Sequence, residues 1–246
     1  MQRFRSVASG VAVATATATA LACAAAAQPP PVIPFPQPGQ SVAPPGCAPT
    51  GLFRAVTRNV TPGLAAADRA AQPRTLYRQG SQRLRNEEQP DLASGAQALV
   101  IIAEPDLWVL NETTRQGQHS IDPGPDLSVR APIVLGPDVP APLTTLEYGC
   151  EIEFVARHAP TAVRTAPWGA MMVSVHAFTI GDHHLVILVD DRRAAPVVLS
   201  YLRQGRAALV VRYDEYSHGL PNRPELFAPP SDYRITEAPA APPSSD

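Results

Sequence analysis

The spacing of turns between residues 171 and 216 constrains the fold of this chain most strongly. Ten residues, MMVSVHAFTI, are followed by Gly181–Asp182, a dipeptide that suits a two-residue hairpin turn, and then by HHLVILVD. Another apolar run starts at Pro196, turns at Gln204–Gly205 and returns through ALVVRYDEY. Four short strands at roughly ten-residue spacing predict an antiparallel meander.

An earlier part of the chain repeats this pattern. Residues 97–103 (QALVIIA) and 106–111 (DLWVLN) are predicted strands separated by Glu104–Pro105, and 117–122 (GQHSID) is the predicted return strand of a hairpin. The two regions together predict a mainly β (α+β) fold, in which an antiparallel meander or curved, unclosed barrel is covered by one or two helices.

The covering helices are harder to place. Residues 143–158, LTTLEYGCEIEFVARH, alternate as a strand would, yet Thr144 and Glu147 have the spacing of a capping box and one helical face is apolar. We favour a helix there. A second helix within 51–71 would be broken at Pro62–Gly63.

The N-terminus has the organisation of a secretory signal. Arg3 and Arg5 precede about twenty small or apolar residues, and Ala25–Ala26–Ala27 fits a small-residue cleavage site with Gln28 as the new N-terminus. The alternative is lipidation, because Ala20–Leu21–Ala22–Cys23 resembles a lipobox with its leucine one place late. Either route predicts a periplasmic or secreted protein.

Composition divides the rest of the chain. Residues 1–27 are the predicted signal peptide, 28–50 a Pro-rich linker with nine prolines between 28 and 49, 51–236 a single β-rich domain and 237–246 a frayed tail. Cleavage removes two of the 20 basic residues, which leaves 18 against 22 acidic residues and a net charge of −4. We therefore expect no nucleic-acid partner.

Two cysteines remain after the leader. In an oxidising compartment Cys47 and Cys150 are expected to form a disulfide that ties the linker to the domain, and two buried free thiols are the alternative.

The order of elements resembles a known superfamily. The chain has a strand carrying Trp108 in DLWVLN, then a hairpin return, a capped helix, and a meander that contains VILVDDRRAAP and VVRYDEY and ends at LFAPP. Over residues 74–233 this order is similar to that of the periplasmic lipoprotein carriers (LolA-like and LolB-like proteins). The resemblance implies a curved, unclosed barrel whose concave face is covered by helices and holds acyl chains.

Four aromatic side chains are the candidate ligand-binding residues. Trp108, Phe154, Trp168 and Phe178 would line an apolar pocket for an acyl chain, or would simply be core. The two alternatives differ in one observable, since a pocket leaves these side chains around a void and a core fills it.

Other chemistry has weaker support. His176, Asp182, His183 and His184 surround one hairpin, but adjacent strand residues point to opposite faces, so we assign no metal. Ser174, His176 and Asp190 lie in plain strands without a nucleophile elbow, so we assign no catalytic residue and no cofactor.

These observations rank three functions. The first is an envelope protein that binds a lipid or lipoprotein acyl chain in a half-barrel, the second an envelope structural or interaction protein without a small ligand, and the third a metal-assisted hydrolase. Lipid or lipoprotein is the expected partner, and membrane association is expected only if Cys23 is lipidated.

Overall fold

The computed structural model describes residues 47–121 and 129–238, which form twelve strands and one α-helix, α1 (Glu151–Arg157). The predicted signal peptide, the linker before Cys47 and the tail from 239 lie outside the described residues. The strands are β1 (Leu52–Asn59), β2 (Arg74–Gln79), β3 (Arg83–Glu88), β4 (Ala98–Ala103), β5 (Asp106–Asn111), β6 (Gln116–Ile121), β7 (Ala162–Trp168), β8 (Met171–Ile180), β9 (His183–Asp190), β10 (Ala195–Arg203), β11 (Arg206–Leu220) and β12 (Arg234–Glu237).

All twelve strands belong to one open sheet, with the order β12-β6-β5-β4-β3-β2-β1-β11-β10-β9-β8-β7. Two meanders, β1–β6 and β7–β11, meet where β1 pairs with β11, and only β12 is parallel to its neighbour among the described strands. The long strand β11 pairs with β10 along its first half and with β1 along its second. The prediction of a mainly β, unclosed sheet is confirmed.

Alternating side chains and turn residues explain why the second meander forms. In β9, Leu185, Ile187 and Val189 are buried on one face. Gly181 has φ 61°, and Gln204 and Gly205 have φ 51° and 73°, so both predicted hairpin turns use the positive φ that a tight turn requires.

The inner face of the sheet is covered by the chain's own segment 129–158. Phe53, Leu76, Leu84 and Leu199 from the sheet form one buried cluster with residues of that segment, among them Leu143, Leu146 and Phe154. This cluster is the main core of the described residues.

A smaller core lies on the other face of the first meander. Leu99, Ile101 and Leu110 are buried there against Trp108 and two residues of the C-terminal segment, Tyr233 and Ile235. After β11 the chain crosses this face through a 3-10 turn, Pro224–Phe227, which packs on β3 and β4, and then adds β12 to the edge at β6.

Two sequence expectations need correction. The helix considered within 51–71 is wrong, because its apolar residues Leu52, Phe53 and Ala55 are buried in β1, and Pro62–Gly63 lies in the turn that follows. The predicted capping box at Thr144 and Glu147 is also wrong, since α1 starts at Glu151 after Cys150 and Leu143–Thr145 forms only a 3-10 turn. Glu147 instead forms a buried ion pair with Arg78 and a second ion pair with the partly exposed Arg130.

Candidate functional site

Two of the four predicted pocket aromatics pack against each other. The rings of Phe154 in α1 and Phe178 in β8 are 5.2 Å apart in an edge-to-face arrangement, and both side chains are buried in the main core. They fill space between the sheet and segment 129–158.

The other two predicted aromatics lie elsewhere. Trp108 is on the opposite face, half-buried in the smaller core and stacked on His119 with 5.2 Å between ring centroids. Trp168 ends β7, at the edge of the sheet, and is 42% exposed. The four residues therefore do not line one pocket.

Two of the histidines around the β8–β9 hairpin bind different partners, and the buried Nδ1 of the third, His176 in β8, has no hydrogen-bond partner among the described residues. His183 Nδ1 lies 2.6 Å from the Tyr201 hydroxyl, and His184 Nδ1 lies 3.1 Å from the Thr179 hydroxyl. Among the described residues, the group of potential ligands within metal-binding distance is Cys47, Cys150 and Glu153. Its two sulfurs are bonded to each other and are not thiolates, so the group is no metal site.

The candidate catalytic residues do not form a triad. Ser174 donates a hydrogen bond to Asp191, and the Asp190 carboxylate accepts one from the Arg192 backbone N–H. Because Ser174 pairs with Val189 in the sheet, Asp190 points to the other face.

The predicted disulfide is present. Cys47 and Cys150 are bonded, with their Cα atoms 5.8 Å apart, and they join the start of the described chain to the residue before α1. The bond holds segment 129–158 against the beginning of β1.

A buried ionic layer lies beneath the same segment. Arg78 in β2 and Glu147 are both 0% exposed and lie 2.7 Å apart, and Arg130 donates to the second Glu147 oxygen at 2.8 Å. Arg78 also donates to the backbone carbonyls of Tyr148 and Val129. Burial lowers the pKa of Arg78, and the Glu147 carboxylate opposes that shift.

A second buried carboxylate sits beside this layer. Glu151 accepts hydrogen bonds from the hydroxyls of Tyr213 and Tyr216, both at 2.7 Å, and from the Gly149 backbone N–H at 3.0 Å. Burial is the larger effect and raises the pKa of Glu151 to about 6, while the hydrogen bonds from the two tyrosines oppose this rise. The pKa values of Tyr213 and Tyr216 are raised mainly by burial, and the negative charge of Glu151 raises them further.

The clefts at the surface of the described chain include one at the β2–β3 turn and one beside β10 and β11. One of about 310 Å³ is lined by Thr50 and the β2–β3 turn, residues 79–83. The other, about 200 Å³, lies where β10 and β11 separate and is lined by Met171, Asp190, Arg193 and Tyr213 among others. None of the four predicted pocket aromatics lines either cleft.

The β7–β8 hairpin gathers apolar side chains that neither core uses. Half of the large exposed apolar side chains in the described ranges lie on it: Val163, Trp168, Met171 and Met172. We call residues 168–172 the hairpin tip. Its residues are exposed because β7 lies outside the packed part of the sheet, where nearly every side chain of the strand faces solvent.

Sequence reasoning placed Trp168 in a pocket and overlooked Met171 and Met172. The available signal was the run Trp168-Gly169-Ala170-Met171-Met172, in which a hairpin turn is flanked by large apolar residues and not by the usual polar ones.

Comparison with known proteins adds little to this site. No protein-family model matches the sequence, and no curated protein matches it. An uncharacterized conserved protein from Thermus thermophilus has a similar structure, with 11% identity and a TM-score of 0.44 over 77% of this chain and 91% of that one. Two crystal forms of PNGF-II are similar at 9% identity, with TM-scores of 0.32 and 0.30. This chain spans about a third of the PNGF-II chain, 32% and 31% in the two forms.

Proposed function

We propose that this chain is an exported envelope interaction protein that binds its partner through the hairpin tip. The proposal follows the second of the three functions ranked from the sequence. It differs from the first in where binding occurs, at an exposed surface and not inside the sheet.

One observation carries the proposal: the apolar side chains of the inner face are covered, whereas those of the hairpin tip are exposed. Segment 129–158 fills the inner face and is fixed there by the disulfide and by the Arg78–Glu147 pair. The hairpin tip holds apolar residues left in solvent, and an exposed apolar cluster marks a binding surface in a folded protein. Tryptophan and methionine are also enriched at protein interfaces.

An acyl chain bound inside the sheet has less support. That function needs Phe154 and Phe178 to surround a void, yet they pack edge to face. It also needs Trp108 and Trp168 near them, yet Trp108 lies on the other face, and Trp168 lies at the sheet edge and is 42% exposed. The resemblance to lipoprotein carriers stays a prediction.

Binding of the purified protein to an envelope fraction from the producing cells tests the proposal. We expect the double variant Trp168→Ser/Met172→Ser to bind at least about tenfold more weakly, because two apolar side chains no longer leave water on binding. Leu92→Ser is the matched control, since Leu92 is also exposed, at 69%, but lies in the loop between β3 and β4.

Stability measurements complete the test. Both variants change exposed residues and should keep the unfolding free energy within about 0.5 kcal/mol for each substitution. Equal binding by the folded tip variant and the wild type would contradict the proposed function.

A further inference from the structure

The hairpin tip is apolar on both of its faces. The register pairs Trp168 with Met171 on one face, and Met172 lies on the other face, opposite Pro167, the residue just before the tip. Trp168, Met171 and Met172 are 42%, 40% and 59% exposed. A flat protein surface would cover one of these faces and leave the other in water, whereas a fluid apolar phase surrounds both.

Two exposed arginines lie next to the tip. Arg192 and Arg193 occupy the β9–β10 turn, and a hydrogen bond from Ser174 to Asp191 connects this turn to β8. Arg193 also lines the same cleft as Met171 of the tip. Neither arginine forms an ion pair with another described residue. The two carboxylates of this turn accept hydrogen bonds from uncharged donors and not from the guanidinium groups, Asp190 from the Arg192 backbone N–H and Asp191 from Ser174.

Strand addition at the β7 edge is disfavoured. Pro167 removes one backbone donor from a seven-residue edge strand, and Arg164 places a charge on it. Proline and charged side chains are common on edges that avoid pairing with another chain. Binding at this edge therefore depends on the side chains of the tip.

We propose that the partner of the hairpin tip is a phospholipid bilayer surface. This inference rests on the proposed function, since it names the partner of the same site. The Trp168 ring sits at the headgroup level, where its apolar body and polar N–H are both accommodated. Met171 and Met172 enter the acyl boundary, and Arg192 and Arg193 donate hydrogen bonds to lipid phosphates.

Protein-free vesicles of phosphatidylethanolamine and phosphatidylglycerol test the inference. The full mature protein should co-sediment with them, and binding should weaken about tenfold in Met172→Ser and about fivefold for each of Arg192→Gln and Arg193→Gln. Leu92→Ser should bind as the wild type does. Added salt should weaken the binding, because part of it is electrostatic.

Tryptophan fluorescence gives a second readout. Trp108→Phe leaves Trp168 as the single tryptophan, and its emission should shift to the blue when vesicles are added. If that variant does not fold, brominated lipids should quench part of the wild-type emission through Trp168.

The remaining outcomes separate this inference from the proposed function. Tip-dependent binding to the envelope fraction without binding to vesicles would overturn the lipid partner, support a protein partner and leave the proposed function standing. Loss of self-association in Met172→Ser, with no vesicle binding by the wild type, would overturn the lipid partner in favour of a second copy of the chain. Tip-independent binding to both preparations would overturn both proposals.

Discussion

At the scale of single residues, Glu151 links the fold to pH. Its folded-state pKa of about 6 lies above the ordinary value of 4.5, because burial disfavours the charged carboxylate. The folded protein therefore holds this proton more tightly than the unfolded chain does. The resulting stabilisation is complete below about pH 4.5 and is lost as pH rises through about 6.

We expect Glu151→Gln to remove this pH dependence. The wild type should lose about 2 kcal/mol of unfolding free energy relative to the variant between pH 4 and pH 7, because burial raises the pKa of this carboxyl group from 4.5 to about 6. Denaturant unfolding at several pH values measures the difference. Glu153→Gln, on the exposed side of α1, is the control, and a pH-independent difference for Glu151→Gln would contradict the assignment.

The buried pair of Arg78 and Glu147 makes a second residue-scale prediction. Arg78→Met should cost about 3–5 kcal/mol of unfolding free energy, because it leaves the Glu147 charge buried with one fewer partner. Arg78→Met/Glu147→Leu should cost clearly less than the sum of the two single variants. A double-mutant cycle measures this coupling, and additive costs would show that the pair does not act as a unit.

The residue scale is where the sequence was least informative. An aromatic residue in a strand pattern predicts some burial, but the face it occupies depends on which segment covers that face. Trp108 packs against the C-terminal segment and Phe154 packs against the inner face of the sheet. The sequence around either residue does not specify these distant contacts. The Arg78–Glu147 pair joins residues 69 positions apart, a contact that no local pattern predicts.

At the scale of elements, local signals predicted seven of the twelve described strands and placed the start of the helix too early. β8 and β9 have the predicted bounds because the Gly181 turn and the alternating apolar residues on either side point to the same structure. The helix starts later than predicted because Glu147, which would have completed a capping box, binds Arg78 and Arg130 instead. Five strands were not predicted: β1, β2 and β3, and the edge strands β7 and β12, few of whose side chains are buried.

The disulfide joins these elements and makes an element-scale prediction. Cys47 and Cys150 are separated by 103 positions, so the bond restricts a long loop in the unfolded chain. Cys47→Ser/Cys150→Ser should lose up to about 4.7 kcal/mol of unfolding free energy on the chain-entropy model. Thiol blocking before and after reduction should reveal two reactive sites only after reduction, and free thiols in the native protein would contradict the bond.

At the scale of the whole molecule, the two faces and the edge of the sheet have different roles. Segment 129–158 covers the inner face, and the C-terminal segment covers the outer face of the first meander. In the described part of the chain, no helix has the length and apolar character needed to span a bilayer. The hairpin tip lies outside both cores and is therefore the part of the described chain that we assign to partner binding.

Hydrogen–deuterium exchange with and without the envelope fraction tests this account most directly. If the hairpin tip is the binding surface, added envelope should slow exchange in residues 163–172 and in the adjacent turn 191–194, and should leave segment 129–158 unchanged. Slower exchange confined to segment 129–158 and to strands β9 and β10, which it covers, would instead indicate a ligand bound at the inner face of the sheet. That result would contradict the assignment of the binding surface to the hairpin tip.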